Sequence, residues 1–296
     1  MLLAAVAAGE RKEPSLQIAA LALALAAAGA HAAWNVLAKR AGGGVAFVFA
    51  YGAAGVVLWA PLGLGALALG YGRVDIEGCA LMAGSGALHA AYFVLLQRGY
   101  ATGDLSLVYP LARGTGPLLA VPLAAVALDQ HPDALDLAGG AVIVAAVLSL
   151  TGRPRAGARA AIGFALATGA LIASYTVWDA YAVNTLDLTV VTYFWGAELS
   201  RALLLAPAAL RRWDRVRAAW SDARGAVLGI GLLSPLAYVL VLWALTLAPV
   251  SLVAPAREVS IVLGAALGAS LLGEPAGIRR VAAAIAVVAG IALLAL

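Results

Sequence analysis

Apolar residues run along this chain in stretches of about 20, the length a helix needs to cross a bilayer, separated by short polar interruptions. Five stretches fall at 15–38, 45–69, 77–97, 105–128 and 134–150, and five more at 160–183, 188–210, 226–247, 251–272 and 278–296. A membrane barrel would show short segments of alternating polarity, which are absent, so helices are the spanning option that remains. The expected fold is an all-α integral membrane protein with ten transmembrane helices behind a short tail at 1–14. The longest loops, TGRPRAGAR at 151–159 and RRWDRVRAAWSDAR at 211–224, leave no room for a soluble domain.

The pattern also repeats. A shift of 145 positions lays GSGALHAAYFVLL on GIGLLSPLAYVLV, matching Gly84 with Gly229, Gly86 with Gly231, Leu88 with Leu233 and Leu95 with Leu240. The same shift puts SLVYP on SLVAP, and a shift of 144 places Trp34 on Trp178 and Asn35 on Asp179. The expected organisation is therefore a duplication, with a first five-helix repeat at 15–151 and a second at 160–296. Five is odd, so the two copies would enter the membrane from opposite sides, an inverted repeat of the kind that places a ligand site near the midplane between halves.

Composition sharpens this reading. Of 296 residues 64% are hydrophobic and 11% charged, far below the quarter or so that a soluble surface requires, and the mean hydropathy is +0.97. The formal charge of +4 comes with arginines clustered between apolar runs, which implies no nucleic-acid partner. The lone Cys79 has no second thiol for a disulfide or a metal site and reads as a small core residue. In MLLAAVAAGERKEPS the charges follow the apolar part, the reverse of a signal peptide, so the first helix is expected to act as an internal signal. The expected location is a cell membrane, plasma or inner, crossed many times, and the Ala-rich composition points to a bacterial one.

Polar residues inside such helices are costly and mark function. His31, Trp34 and Asn35 are expected on one face of the first helix, and the repeat sets Tyr175, Trp178 and Asp179 on the equivalent face of the sixth, so each helix would turn an aromatic and polar stripe inward. His31 and Asn35 read equally as interhelical hydrogen bonding or as the lining of a cavity, whereas for Asp179 the cost of an acid in lipid favours the cavity. In the fourth and ninth helices, Tyr109, Pro110 and Arg113 of LVYPLARGTGP correspond to Ala254, Pro255 and Glu258 of LVAPAREVS. Each proline removes a backbone donor, so both helices are expected to bend there. The charges just beyond, Arg113 and Glu258, either pair directly, with Arg257 as a second partner for the acid, or bracket a ligand. In the ligand reading Arg113 takes a carboxylate or phosphonate and Glu258 titrates with a proton. His89, Tyr92 and Tyr238 are further pocket candidates, while Glu198 and Arg201 sit three apart and can satisfy each other. Gly42 to Gly44 is a turn signal without a phosphate-loop pattern, and no nucleotide, cofactor or metal motif is found.

The repeat together with HAAWNVLAKR in the first helix, DLSLVYPLARGTGP in the fourth and LGEP at 272–275 resembles the drug/metabolite transporter superfamily, in its EamA-like branch, across essentially the whole chain. The first half departs from the GEP pattern, with Asp129 in LDQHP. The resemblance implies secondary transport of small metabolites, often export of amino acids or related compounds, through a central cavity lined by several of the helices. Relatives similar in the first-helix and YPLARG motifs are associated with phosphonate utilisation, which fits Arg113 by analogy.

The reading that follows is a carrier of a small polar zwitterion or anion, seated in the lipid bilayer and working by alternating access to its two sides, with coupling to protons. A flippase for a lipid-linked head group is the alternative, and an intramembrane enzyme using Asp179, Glu198 or His89 lacks a catalytic motif. The loops on the N-terminal side hold chiefly Arg11, Lys12 and Arg73, whereas the opposite loops hold Lys39, Arg40, Arg98 and the clusters at 153–159, 211–224 and 279–280. By the positive-inside rule both termini face outside, while the resemblance implies that both are cytoplasmic. On the charge argument, a C-terminal reporter that fluoresces only in the cytoplasm stays dark; a bright reporter overturns it.

Overall fold

A computed structural model describes residues 14–41, 44–103, 105–150, 158–263 and 278–294. The tail at 1–13, the loop at 151–157 and the LGEP stretch at 272–275 lie outside them. The helices are α1 (Pro14–Ala41), α2 (Val45–Ala68), α3 (Ile76–Thr102), α4 (Leu105–Ala127), α5 (Ala134–Ser149), α6 (Arg159–Thr185), α7 (Val190–Leu210), α8 (Trp213–Leu247), α9 (Val250–Arg257) and α10 (Ile278–Leu294). Among the described residues there are no strands; a single bridge joins Gly72 to Leu188. The all-helical fold is what a water-free environment demands, because each helix satisfies its own backbone groups.

Among the described residues six helices, α1, α2, α3, α4, α6 and α8, are long and apolar enough to cross a membrane; of the expected ninth span, 251–272, the described residues reach only 263. Physical reasons differ among the rest. The 16 residues of α5 rise only about 24 Å, short of a bilayer's hydrocarbon core. In α7 the length suffices, but Glu198 and Arg201 interrupt the apolar run. The stretch expected as one helix from 251 breaks instead: α9 ends at Arg257, Glu258 forms a turn, and helix resumes over 259–263. Pro255 lies inside α9 and leaves the Ser251 carbonyl one turn back without its helical donor, while the break itself comes three residues later, at Glu258. The corresponding Pro110 does not break its helix, and α4 continues past Pro110, Pro117 and Pro122.

A second correction concerns 211–224, expected as a loop. From Trp213 it is helical and runs on into α8 across a kink at Ala223, whose backbone leaves the helical region at φ −134 and ψ 31. Trp213, Val216 and Trp220 stand at helical spacing, so the segment can fold as an amphipathic helix while its charges stay exposed.

Side-chain caps start several helices where the chain turns back. Asp75 accepts from the Gly78 N–H at 2.7 Å before α3, Asp133 from Leu135 and Asp136 N–H at 2.9 Å before α5, and Thr189 from the Thr192 N–H at 3.2 Å before α7. Loops expected on one side of the membrane meet: the Arg73 N–H donates to the Asp187 carbonyl at 3.0 Å, and the Val250 N–H donates to Gln130 Oε1 at 3.0 Å. At Gly72, φ is +93 and the Asp187 carbonyl sits where a Cβ would stand, so only glycine fits.

The most extensive packing joins α1 and α2 to α8, α3 to α6 and α7, α2 to α7, α4 to α6, and α5 to α10. The short α9 rests on α1, α4 and α5. Small residues let backbones approach: a Cβ on Gly231 of α8 would lie 3.0 Å from the Tyr51 carbonyl and the Gly55 nitrogen of α2. The lipid-facing rim is apolar, with Val57 72% and Val126 87% exposed. Replacing Gly231 by valine is expected to separate α2 from α8 and to cost about 1–3 kcal/mol, read as a lowered Tm in detergent. Gly65→Ala, at a site with nothing within 4 Å, is expected to leave the Tm unchanged.

Candidate functional site

The helix break at Glu258 and the continuous α4 meet in the interior. Arg113 Nε donates to Glu258 Oε2 at 2.8 Å, and Arg257 Nε lies 3.5 Å from Glu258 Oε1. All three side chains are at least 95% buried. A single carboxylate thus faces two guanidinium groups, leaving one positive charge uncompensated at this point. Arg113 Nη2 and Arg257 Nε and Nη2 have no hydrogen-bond partner among the described residues, nor has Glu258 Oε1. The Arg257 guanidinium lies over the Tyr175 ring, 5.9 Å from its centroid.

These arginines border a cavity of about 60 Å³. His31 and Trp34 reach it from α1, His89 and Tyr92 from α3, Arg113 from α4 and Arg257 from α9. Tyr175 and Tyr238 complete the set of expected residues that the fold brings to the wall. The aromatic groups brace one another: His89 stacks on Tyr175 with centroids 4.1 Å apart, and Tyr238 meets His89 edge-on at 5.2 Å. His89 Nδ1 donates to the Ser85 carbonyl at 2.9 Å, so in the neutral ring Nε2 is left as an acceptor.

Other expected residues go elsewhere. Asn35 turns back on its own helix, donating to the His31 carbonyl at 2.7 Å, and does not line the cavity. Trp178 donates to the Leu81 carbonyl at 2.9 Å and packs against Gly84, with 38% of its surface exposed on the outer side. Asp179 is fully buried but off the cavity wall, accepting from Tyr193 Oη at 2.6 Å and Tyr238 Oη at 2.7 Å. Tyr109 is half-buried on α4 and does not reach the cavity. Glu258, with 0% exposure, stands behind Arg113 rather than on the surface of the cavity.

The reason is helical geometry: positions three and four onward from Tyr175 lie about 60° to one side and 40° to the other. Trp178 and Asp179 therefore diverge, one towards α3 and the other towards α7 and α8. The aromatic and polar stripe is split into a cavity residue, an outer packing residue and an internal hydrogen-bond hub.

Two residues set aside by their spacing belong to the wall. Glu198 and Arg201 of α7 do pair with each other, and both also line the cavity, with Arg201 4.9 Å from the centroid of Phe93. Their location in an otherwise apolar helix was the available signal. Phe194 and Ser234 also contribute, and neither carries a sequence signal of its own. Tyr193, the second clamp on Asp179, was also missed, because nothing in its neighbourhood names a partner 14 residues away.

The arrangement suits binding of an anion: donor groups of two arginines converge near aromatic faces that pack on one another. Among the described residues no group of three potential metal ligands comes together.

Comparison with other proteins fits this arrangement. One solved crystal structure, described only as that of a protein, aligns over 93% of this chain and 96% of its own, with a TM-score of 0.75 at 17% identity. At that identity the likeness speaks for the fold alone, but it covers both halves. No curated protein matches the chain. The model of the EamA-like transporter family matches residues 159–296, the half that contributes Tyr175, Asp179, Glu198, Tyr238, Arg257 and Glu258. Over residues 159–296, just under half of its length, the chain is similar to the EamA-like transporter family.

Proposed function

We propose that this transporter is a secondary carrier for a small anionic or zwitterionic metabolite, such as an amino acid or an aminophosphonate, whose oxyanion is taken by Arg113 and Arg257. The observation that carries the reading is the sharing of Glu258 by two buried guanidinium groups that keep uncommitted N–H donors beside the cavity. A planar fork of this kind binds a carboxylate or phosphonate bidentately. The cavity, about 60 Å³, is far smaller than the several hundred Å³ of an ordinary ligand site, so in this reading the surrounding helices must move apart to admit a solute.

Alternating access between two inverted halves, 15–151 and 160–296, is supported by contacts that the 145-residue shift exchanges. Gly55 of α2 packs on Gly231 of α8; the shifted positions, Ser200 of α7 and Gly86 of α3, also pack together. Arg113 and Glu258, themselves 145 positions apart, meet each other, as residues beside a pseudo-two-fold axis would. Such an arrangement lets the halves rock about a fixed central site. The setting we infer is the plasma or inner membrane of a bacterial cell.

Proton coupling, in this reading, runs through Glu258 rather than Asp179. Both oxygens of Asp179 are occupied by phenols, whereas Glu258 must trade its arginines with an arriving oxyanion.

In proteoliposomes, Arg113→Lys keeps a charge for Glu258 but loses the fork, so the half-saturation concentration for the transported anion is expected to rise at least about tenfold with the protein still folded. An unchanged value removes Arg113 from the site. The solute for that assay comes from thermal stabilisation by a panel of amino acids, aminophosphonates, carboxylates and quaternary amines. Stabilisation by quaternary amines alone overturns the anion reading. Glu258→Gln is expected to flatten the pH dependence of transport, while Asp179→Asn is expected chiefly to lower the Tm by about 1–3 kcal/mol of stability. The opposite pattern moves the coupling to Asp179.

A further inference from the structure

The kinked first turns of α8 have chemistry that solute transport leaves unused. Residues 211–224 hold five arginines against two aspartates, with tryptophans at 213 and 220. Trp213 and Trp220 are 49% and 45% exposed, while Val216 between them is buried against Phe47, Ala209 and Ile230. The segment is thus seated on the helix bundle by one apolar residue and offers its two indoles outward.

Its depth follows from length. Residues 226–247 of α8 rise about 33 Å, enough to fill the hydrocarbon core, so the kink at Ala223 falls at the membrane boundary and Trp213–Ala223 at the level of the head groups. Tryptophan and arginine both favour that layer.

Between this segment and α2 runs an open groove of about 740 Å³. Its floor is apolar, with Phe49, Val57 and Leu58 from α2 and Leu228 from α8, and Trp213 and Trp220 also line it. From Phe49 to Val57 the helix rises about 12 Å, a length matched to the upper part of an acyl chain. The one charged residue lining the groove is Arg217, which is exposed and has no ion pair among the described residues. On the other face of the segment, Arg212 and Arg215 line a separate polar cavity with Asp222, so they add to the positive field without filling the groove.

We propose that this groove is a binding site for an anionic phospholipid, with an acyl chain along Phe49, Val57, Leu58 and Leu228 and the phosphate on Arg217. An apolar channel that opens at head-group depth beside an unpaired guanidinium matches an amphiphile with a negative head. A zwitterionic lipid brings its own ammonium into the field of five arginines and is disfavoured. The site is separate from the central cavity and shares no residue with it.

The test uses the full chain in vesicles of equal phosphatidylglycerol and phosphatidylcholine, followed by gentle extraction and mass measurement of the lipid that stays bound. The wild type is expected to retain phosphatidylglycerol over phosphatidylcholine by about fivefold or more, the ratio that ~1 kcal/mol per basic side chain produces. Arg217→Gln, at an exposed position that leaves the packing intact, is expected to bring the ratio close to one. A second measurement locates the chain: phosphatidylglycerol with brominated acyl chains should quench a part of the tryptophan emission that is missing in Trp220→Phe. Equal retention of both lipids by the wild type, an unchanged preference in Arg217→Gln, or quenching that is the same with and without Trp220 each overturns the proposal.

Discussion

A charge held inside a bilayer has no water to turn to, and its neutralisation must come from the protein itself. Among the described residues the buried charged groups are Arg113, Arg201 and Arg257 with Asp179, Glu198 and Glu258, three of each sign. Each acid is held in its own way. Glu198 takes the arginine one turn along its helix, Asp179 takes two phenols, and Glu258 is reached by Arg113 from the other half of the chain while its neighbour Arg257 stands close by. The last of these ties α9 to α4, and much of the interior arrangement depends on it. Remove the tie and either a bare carboxylate or a bare guanidinium remains in a low-dielectric interior, which helix packing alone does not offset.

Close helix packing is what makes that neutralisation possible. The contact of Gly55 with Gly231 and that of Gly86 with Ser200 bring backbones together where larger side chains would hold them apart. Those crossings set α2, α3, α7 and α8 tightly around the interior, so that Glu198, Arg201, Tyr238 and His89 face a common cavity with the arginine pair. The same closeness keeps the cavity small in this conformation. A structure in which charges are shared rather than matched one to one leaves guanidinium donors without a protein partner among the described residues.

Pro110 and Pro255 both lie inside helix, and neither ends its helix at its own position. Both residues remove the same donor, yet α4 runs on while the helix around Pro255 gives way at Glu258. Where the break occurs, the carboxylate of Glu258 lies between two arginines; where the helix continues, Arg113 projects towards that carboxylate. The kinked segment before Ala223 was likewise decided by its surroundings. An amphipathic stretch that composition marks as a loop folds as helix because Val216 finds a cluster to bury itself in.

By itself the sequence determined the class of the molecule and the positions of its costly residues. Apolar runs of membrane length require helices, and the cost of buried charge marks Arg113, Glu258 and Arg257 wherever the helices pack. His31, Trp34, His89, Tyr92, Tyr175 and Tyr238 were legible for the same reason, since polar and aromatic groups in an apolar helix turn inward. Only the tertiary structure decided which inward direction each takes. Positions three and four onward from one residue lie about 60° to one side of it and 40° to the other, so Tyr175, Trp178 and Asp179 meet three different neighbours although their spacing reads as one stripe. It likewise decided that Glu198 and Arg201, which satisfy each other along α7, also face the cavity, and that Tyr193 holds Asp179. Partners of that kind come together when the helices pack, and the local pattern of a single chain does not contain them.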